Sequence, residues 1–128
     1  MKKYAIQHIG SGQLIDYCDT KEQAEFFLNT GEYELVEIAK AAKVSVVYTE
    51  IYQADYGHQE ESFLTYGALR PCLSKLINWI KNTCRTFGPT IQEIRDFFRH
   101  CKLYVNGIDY TKWLDKQISK LDKNVVYV

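Results

Sequence analysis

The chain has 128 residues, 46% of them hydrophobic and 14% aromatic, with sixteen acidic and sixteen basic side chains and a formal net charge of zero. This composition argues against intrinsic disorder, and no apolar run approaches the ~18 residues that a membrane span requires. The first residues also lack the apolar core of a signal peptide, so we expect a cytoplasmic protein without membrane contact whose four cysteines are reduced thiols.

The first third of the chain predicts a β-β-α-β unit. Two strand-like segments, 4–9 and 13–17, flank Gly10-Ser11-Gly12, a turn with two residues that are free to take positive φ. The segment 19–22, Asp-Thr-Lys-Glu, has the spacing of a capping box with an Asp N-cap, so we expect a short helix to begin there. Residues 33–38 then return as a third strand.

The middle of the chain predicts a central strand followed by a loop. Residues 44–52 are rich in β-branched and aromatic side chains and are apolar on both faces for part of their length, which is typical of a strand covered on both sides. Residues 53–62 are polar and are expected to form a loop.

The second half of the chain predicts mainly helices. Apolar residues recur with helical spacing from Pro71 towards Gly88, over 90–101 and over 111–121. Thr90 with Glu93 has the spacing of a second capping box. Asn106-Gly107 is the favoured pair of a type I′ turn, so we expect a tight hairpin over 103–110. Residues 125–128 are expected to form a short final strand.

Together these elements predict an α+β fold, in which an N-terminal β-β-α-β unit plus a central strand packs against a mainly helical C-terminal half with three helices and a small hairpin. We expect one domain over 1–128. The alternative is a division into an acidic β-β-α-β-β subdomain, 1–61, and a basic helical subdomain, 62–128.

Residues 1–61 carry five lysines against eleven carboxylates, and residues 62–128 carry eleven basic residues against five carboxylates. The halves therefore differ in net charge, −6 against +6, which indicates interaction surfaces.

Two basic stripes in the second half are the candidate binding site. At about 100° per residue, the lysines of the last predicted helix share one sector opposite Leu114 and Ile118. The basic residues of the preceding helix share another sector beside its apolar face. One interpretation of a lysine row beside an indole is a surface that follows the phosphate backbone of a nucleic acid. The alternative interpretation is a solvated helix face without a ligand. The candidate binding residues are Arg95, Arg99, Lys102, Lys112, Trp113, Lys116, Lys120 and Lys123.

Two segments resemble known modules in pattern. The order of a helix at 90–101, a helix at 111–121 and a terminal strand resembles the end of a winged-helix domain, which implies a basic surface that binds nucleic acid. The hairpin at 103–110 departs from that family, which has a short turn between the helices. Residues 19–28, DTKEQAEFFL, resemble the TKEEAExFL helix start of small three-stranded modules, including arm-binding domains of tyrosine recombinases. Capping and amphipathicity alone account for this second pattern. Neither of the two resemblances therefore assigns a family.

Catalytic and metal-binding motifs are sparse. The cysteines and histidines lack the spacing of a zinc site, and we expect neither a metal nor another cofactor. His58 near Glu60 and Glu61, in the polar segment 56–61, is the candidate for acid–base chemistry in a small enzyme. The alternative for this segment is an exposed connector with an ordinary histidine.

We therefore predict a protein that is not an enzyme. It would be a small cytoplasmic accessory, regulatory or inhibitor protein, of the kind that mobile elements encode, docking on another protein or on a nucleoprotein complex. One alternative is direct nucleic-acid binding through the winged-helix-like basic half, and another is a small enzyme that uses His58. Opposed charges also allow a homo-oligomer. If the two halves face each other in the fold, part of their charge is paired internally.

Overall fold

Within residues 2–51, 57–86 and 91–124, which the computed structural model describes, the chain forms two antiparallel sheets and four α-helices. The first sheet has the order β2-β1-β3 and contains β1 (Tyr4–His8), β2 (Leu14–Cys18) and β3 (Tyr33–Glu37). The second has the order β5-β4-β6-β7 and contains β4 (Ala42–Ile51), β5 (Gly57–Gly67), β6 (Cys101–Val105) and β7 (Ile108–Asp109). The helices are α1 (Glu25–Leu28), α2 (Leu69–Thr86), α3 (Ile91–Arg99) and α4 (Thr111–Asn124). The predicted α+β class is confirmed.

The first sheet is the predicted β-β-α-β unit. Its central strand, β1, pairs antiparallel with both β2 and β3. One face of the sheet buries Ile6 against Ala24 in the helical segment before β3. The other face packs Ala5 against Leu64 and Tyr66 of β5, so β1 is covered on both sides.

The helical segment of this unit begins at Glu22, two residues later than a capping box with Asp19 at the N-cap predicts. Gln23 Oε1 accepts the backbone N–H groups of Asp19 and Thr20 at 2.8 and 3.2 Å, and Thr20 Oγ1 accepts the N–H of Gln23 at 3.4 Å. The prediction of an Asp19–Glu22 box is therefore wrong. Thr20 and Gln23 have the same spacing, and glutamine can reach back to the backbone as glutamate does.

The second sheet has β4 at its centre, as the sequence predicts. β4 pairs with β5 along its whole length and with β6 over 44–48. The prediction of a loop over 53–62 is wrong for 57–62, because these residues belong to β5. Residues 49–51 and 57–61 extend past the end of β6 as a two-stranded ribbon, which we call the hairpin arm. Residues 57–61 are exposed, and they therefore lack the apolar alternation that identifies a half-buried strand.

Helices α2, α3 and α4 pack on the second sheet and form the main core. Its buried members are Val44, Val46, Phe63, Cys72, Leu76, Ile80, Cys84, Ile94, Phe98, Cys101, Leu103, Val105, Leu114 and Ile118. The core includes the apolar faces of all three predicted helices, which are represented by Ile80 in α2, Ile94 in α3 and Leu114 in α4. The predicted helix 90–101 is too long, since α3 ends at Arg99 and Cys101 begins β6. The capping residue Thr90 and the final strand 125–128 lie outside the described residues.

The β6–β7 hairpin turns at Asn106 and Gly107, as predicted, with φ values of 53° and 80°. Asn106 also ties the turn to β4, because its Oδ1 accepts the N–H of Lys43 at 2.8 Å and its N–H donates to Lys43 O at 2.8 Å. Glycine and asparagine are the residues that take this left-handed conformation most readily. The segment between α3 and α4 is thus part of the main sheet, unlike the short turn of a winged-helix domain.

Two glutamine side chains join the first sheet to the free edge of β5. Gln7 is completely buried, its Oε1 accepts the Tyr66 N–H at 3.0 Å, and its Nε2 donates to Tyr66 O at 2.7 Å. Gln13 Oε1 accepts the Leu64 N–H at 3.3 Å, and its Nε2 donates to Ser62 O at 3.5 Å. Because an edge strand leaves backbone groups unpaired, these amides replace the neighbouring strand that β5 lacks.

The boundary of charge at 61/62 falls inside β5, so it does not coincide with a break between strands or helices. Lys75 on α2 forms an ion pair with Glu34 on β3, with 3.1 Å between Nζ and Oε1. Gln7 Nε2 donates to the same carboxylate oxygen at 2.8 Å. Some of the opposed charge is therefore paired inside the molecule, at the contact between the first sheet and α2.

Candidate binding surfaces

The lysine row of the last helix lies on the outer face of α4. Lys112, Lys116 and Lys120 are exposed, opposite the buried Leu114 and Ile118. Trp113, which the sequence places at the border of this row, is half-buried and packs against the main core. Its indole is thus only partly available for stacking. The side chain of Lys123 lies outside the described residues.

The second predicted stripe lines a different surface. Arg95 and Arg99 border a cleft of about 450 Å³ between α3 and α4, and Asp115 and Ser119 line it as well. Arg99 forms an ion pair with Asp96 of its own helix. About 60° of the α4 surface separates Asp115 from the nearest lysine of the outer row. The cleft therefore holds an acidic side chain beside its two arginines, and the lysine row lies outside it.

Lys102 lies on a third surface. It is exposed on β6 between Cys101 and Leu103, which are buried. Since alternate residues of a strand point to opposite faces of a sheet, Lys102 faces away from the helices. The predicted binding residues whose side chains are described thus lie on three separate surfaces.

Helix α2 carries a basic face that is not among the predicted binding residues. Its eighteen residues include no carboxylate and four cations, which are Arg70, Lys75, Lys81 and Arg85. Lys75, Lys81, Asn78 and Arg85 line a polar cleft of about 330 Å³ together with the turn between β1 and β2. The turn lies close to α2, since a Cβ at Gly12 would be 2.5 Å from Lys75 Cδ. The absence of acidic residues from this helix is the sequence feature that could have predicted its basic face.

An aromatic cleft of about 520 Å³ lies between the hairpin arm, α2 and α3. The residues around it are Tyr48, Glu60, Glu61, Ser62, Trp79, Thr83 and Phe97. The rings of Tyr48 and Phe97 are stacked, with centroids 5.2 Å apart and planes 19° apart. The Trp79 ring is held 5.5 Å from the ring of Phe63 in the core. Glu60 is the cross-strand neighbour of Tyr48. It has this position because residues 57–62 form part of a strand and not the predicted loop.

His58, the candidate acid–base residue, lies on the exposed hairpin arm. Its Nε2 is 3.8 Å from Glu60 Oε2, and both side chains are more than half exposed. His58 lines none of the three clefts described above. The predicted loop around it is a strand, so the histidine and the carboxylate lie side by side in water.

All four cysteine side chains are buried, and none of them forms a disulfide. Cys72 and Cys84 lie in α2, whereas Cys101 lies in β6. Burial raises the pKa of Cys18 and Cys72, and it raises the pKa of Cys101 to about 12. Because the thiolate is the reactive form, such thiols are weak nucleophiles at neutral pH.

Among the described residues, no group of three or more His, Cys, Asp or Glu side chains is arranged to hold a metal ion. No helix in the same part of the chain is long and apolar enough to cross a membrane. Comparisons with protein-family models, with curated proteins and with solved structures found no match. Inferences about function therefore depend on the surfaces themselves.

Proposed function

We propose that this protein is a non-catalytic cytoplasmic binding protein, which docks on another protein or on a nucleoprotein complex as accessory, regulatory and inhibitor proteins do. The observation that supports this most is the separation of exposed charge on the surface. The hairpin arm presents Glu60 and Glu61, while the outer face of α4 presents Lys112, Lys116 and Lys120. Complementary charge steers association and sets the orientation of a partner.

Exposed apolar side chains add support for docking. The side chain of Phe26 on α1 is 79% exposed, and Ile9 and Ile15 beside the first turn are each 47% exposed. Aromatic residues are enriched in protein interfaces, where they contribute large contact areas. Phe26 follows Glu22 and Glu25 in the chain, and both of these acidic side chains are exposed. This combination suits a partner that offers an apolar contact within a basic surface.

Affinity capture from the native host, with and without nuclease, tests this function. We expect one or more proteins to be enriched by the purified protein, and to remain bound after nuclease if they contact it directly. A Lys112→Gln/Lys116→Gln/Lys120→Gln variant is expected to recover about tenfold less of that partner, because the charges that orient docking are gone.

The matched control is a Lys3→Gln/Lys21→Gln/Lys40→Gln variant, which removes the same charge from exposed positions in the first half. It should recover as much partner as the unmodified protein. Failure of the unmodified protein to enrich any protein over a bead control would contradict the proposal.

Direct nucleic-acid binding is a second candidate, supported by the basic face of α2. Lys81 and Arg85 are exposed beside a polar cleft, and the helix has no carboxylate to offset them. We expect the affinity for a mixed DNA and RNA pool to fall steeply with salt, with a log–log slope of about one per phosphate contact. A Lys81→Gln/Arg85→Gln variant should reduce that slope by about two, measured by fluorescence anisotropy.

The control for this measurement is a Lys21→Gln/Lys40→Gln variant, which should leave the slope unchanged. If the nucleic-acid pool shows no binding at low salt, this second candidate is wrong. The result would leave docking on a protein as the proposed function.

A further inference from the structure

We propose that the aromatic cleft between the hairpin arm, α2 and α3 binds an arginine side chain of the partner protein. This inference rests on the proposed function, because it names the chemical group by which a partner is recognised. The aromatic wall and the carboxylates at its rim are independent features of the cleft, and both favour a planar cation.

The aromatic wall provides ring surfaces for a cation. Tyr48, Trp79 and Phe97 are each half-buried and packed against the main core, so their rings are held in place. A cation above a ring is attracted by the negative face of its π-system, and tryptophan gives the strongest attraction. Rings that are already ordered lose little freedom on binding, which favours affinity.

The rim of the cleft carries negative charge. Among the described residues that line it, the charged ones are Glu60 and Glu61, and both are acidic. The side chain of Glu60 is 64% exposed, and the nearby His58 Nε2 is 3.8 Å from its Oε2, a distance that leaves the carboxylate open to another donor. Glu60 shares the face of its cross-strand neighbour Tyr48. An apolar group in the cleft would desolvate this carboxylate without offering it a hydrogen bond, which is unfavourable.

Arginine satisfies both features better than lysine. The guanidinium group is planar, so it can stack on an aromatic ring while its N–H groups donate, in the guanidinium plane, to carboxylate oxygens beside it. The hydroxyl oxygens of Ser62 and Thr83, which also line the cleft, are further acceptors. A lysine ammonium group is a compact, strongly hydrated charge that cannot stack in this way. The volume of about 520 Å³ accommodates one such side chain with its flanking backbone.

A peptide titration followed by NMR tests the inference. The probe is the blocked pentapeptide Gly-Gly-Arg-Gly-Gly, compared with the same peptide carrying citrulline, which is neutral and nearly isosteric, or lysine. We expect a saturable shift of the Trp79 indole N–H signal with the arginine peptide. The citrulline peptide should bind at least about fivefold more weakly, since it lacks the charge.

Variants assign the binding to the cleft. Glu60→Gln/Glu61→Gln changes exposed side chains without removing volume, so the fold is retained, and the arginine peptide should bind about fivefold more weakly. The control Glu22→Gln/Glu25→Gln removes the same charge from exposed positions in the first half and should bind as the unmodified protein does.

Three results would overturn the inference: no saturable shift up to about 10 mM peptide, equal binding of arginine and citrulline, or tighter binding of lysine than of arginine. If one of these results is found and a partner is still captured specifically, the arginine site is rejected and the proposed function is retained. Peptide binding in the cleft without capture of any partner would instead reject the proposed function.

Discussion

Replacing Gln7 with leucine is expected to lower the free energy of unfolding by about 3 kcal/mol, although leucine is close to glutamine in size. The Gln7 side chain is completely buried, and it is the hydrogen-bond partner of both the N–H and the C=O of Tyr66. Leucine would leave both backbone groups unpaired inside the protein, and each such group costs about 1–3 kcal/mol. Urea denaturation followed by circular dichroism measures the difference.

Gln13→Leu is the matched control for this prediction. Gln13 makes the equivalent contacts to Leu64 and Ser62, but its side chain is only half-buried. Water can replace part of what is lost, so we expect a loss of about 1 kcal/mol. If the two variants lose equal stability, or if Gln7→Leu is neutral, burial of the Gln7 amide does not hold the two sheets together as inferred.

The stability of the protein is expected to fall as the pH rises above 9, in large part because of Cys101. Burial raises the pKa of this thiol from 9.0 to about 12. The unfolded chain therefore releases the proton near pH 9, while the folded protein retains it. The protonated Cys101 thiol makes its full contribution to the free energy of unfolding below pH 9. This contribution is lost progressively between pH 9 and 12, up to about 4 kcal/mol at 1.36 kcal/mol per pH unit. Urea midpoints between pH 7 and pH 11 give the profile.

Cys101→Ala separates this thiol from the other groups that titrate at high pH. Among those groups is Tyr66, whose pKa is also raised by burial and by its hydrogen bond with Tyr17. The variant should be less stable than the unmodified protein at pH 7, since it leaves a small cavity, but its stability should fall less steeply with pH. Between pH 9 and 11 we expect the free energy of unfolding of the variant to fall less steeply, by up to the equivalent of one proton per molecule. Identical slopes would contradict the role of Cys101.

Predictions that rest on neighbouring residues in the chain agree well with the structure. The turns at Gly10-Ser11-Gly12 and Asn106-Gly107 follow from the conformational freedom of these residues, and both hairpins form. The inward faces of α2 and α4 follow from helical periodicity. The errors also have local causes, since the exposed strand over 57–62 has no apolar face to reveal it, and the Thr20–Gln23 pair competes with the Asp19–Glu22 spacing.

The candidate surfaces were less predictable. The sequence analysis joined the basic stripes of α3 and α4 into one candidate site, but Arg95 and Arg99 line a cleft that also holds Asp115. The α4 lysines lie on the outer face of their helix, and Lys102 faces the other side of the sheet. The aromatic cleft depends on the register that places Glu60 beside Tyr48. A β-bulge between Val46 and Val47 shifts that register, and no sequence pattern marks it.

The local elements, the α+β class and the opposed charge of the two halves follow from the amino-acid order, because turn chemistry, periodicity and charge depend on residues close together in the chain. How those charges are used depends on the packing of the two sheets and the helices. It paired Lys75 with Glu34, placed Gln7 on the edge of β5, and brought Trp79 to Tyr48 and Glu60. These groups are far apart in sequence, and their meeting depends on strand register and helix packing, which short-range preferences do not specify.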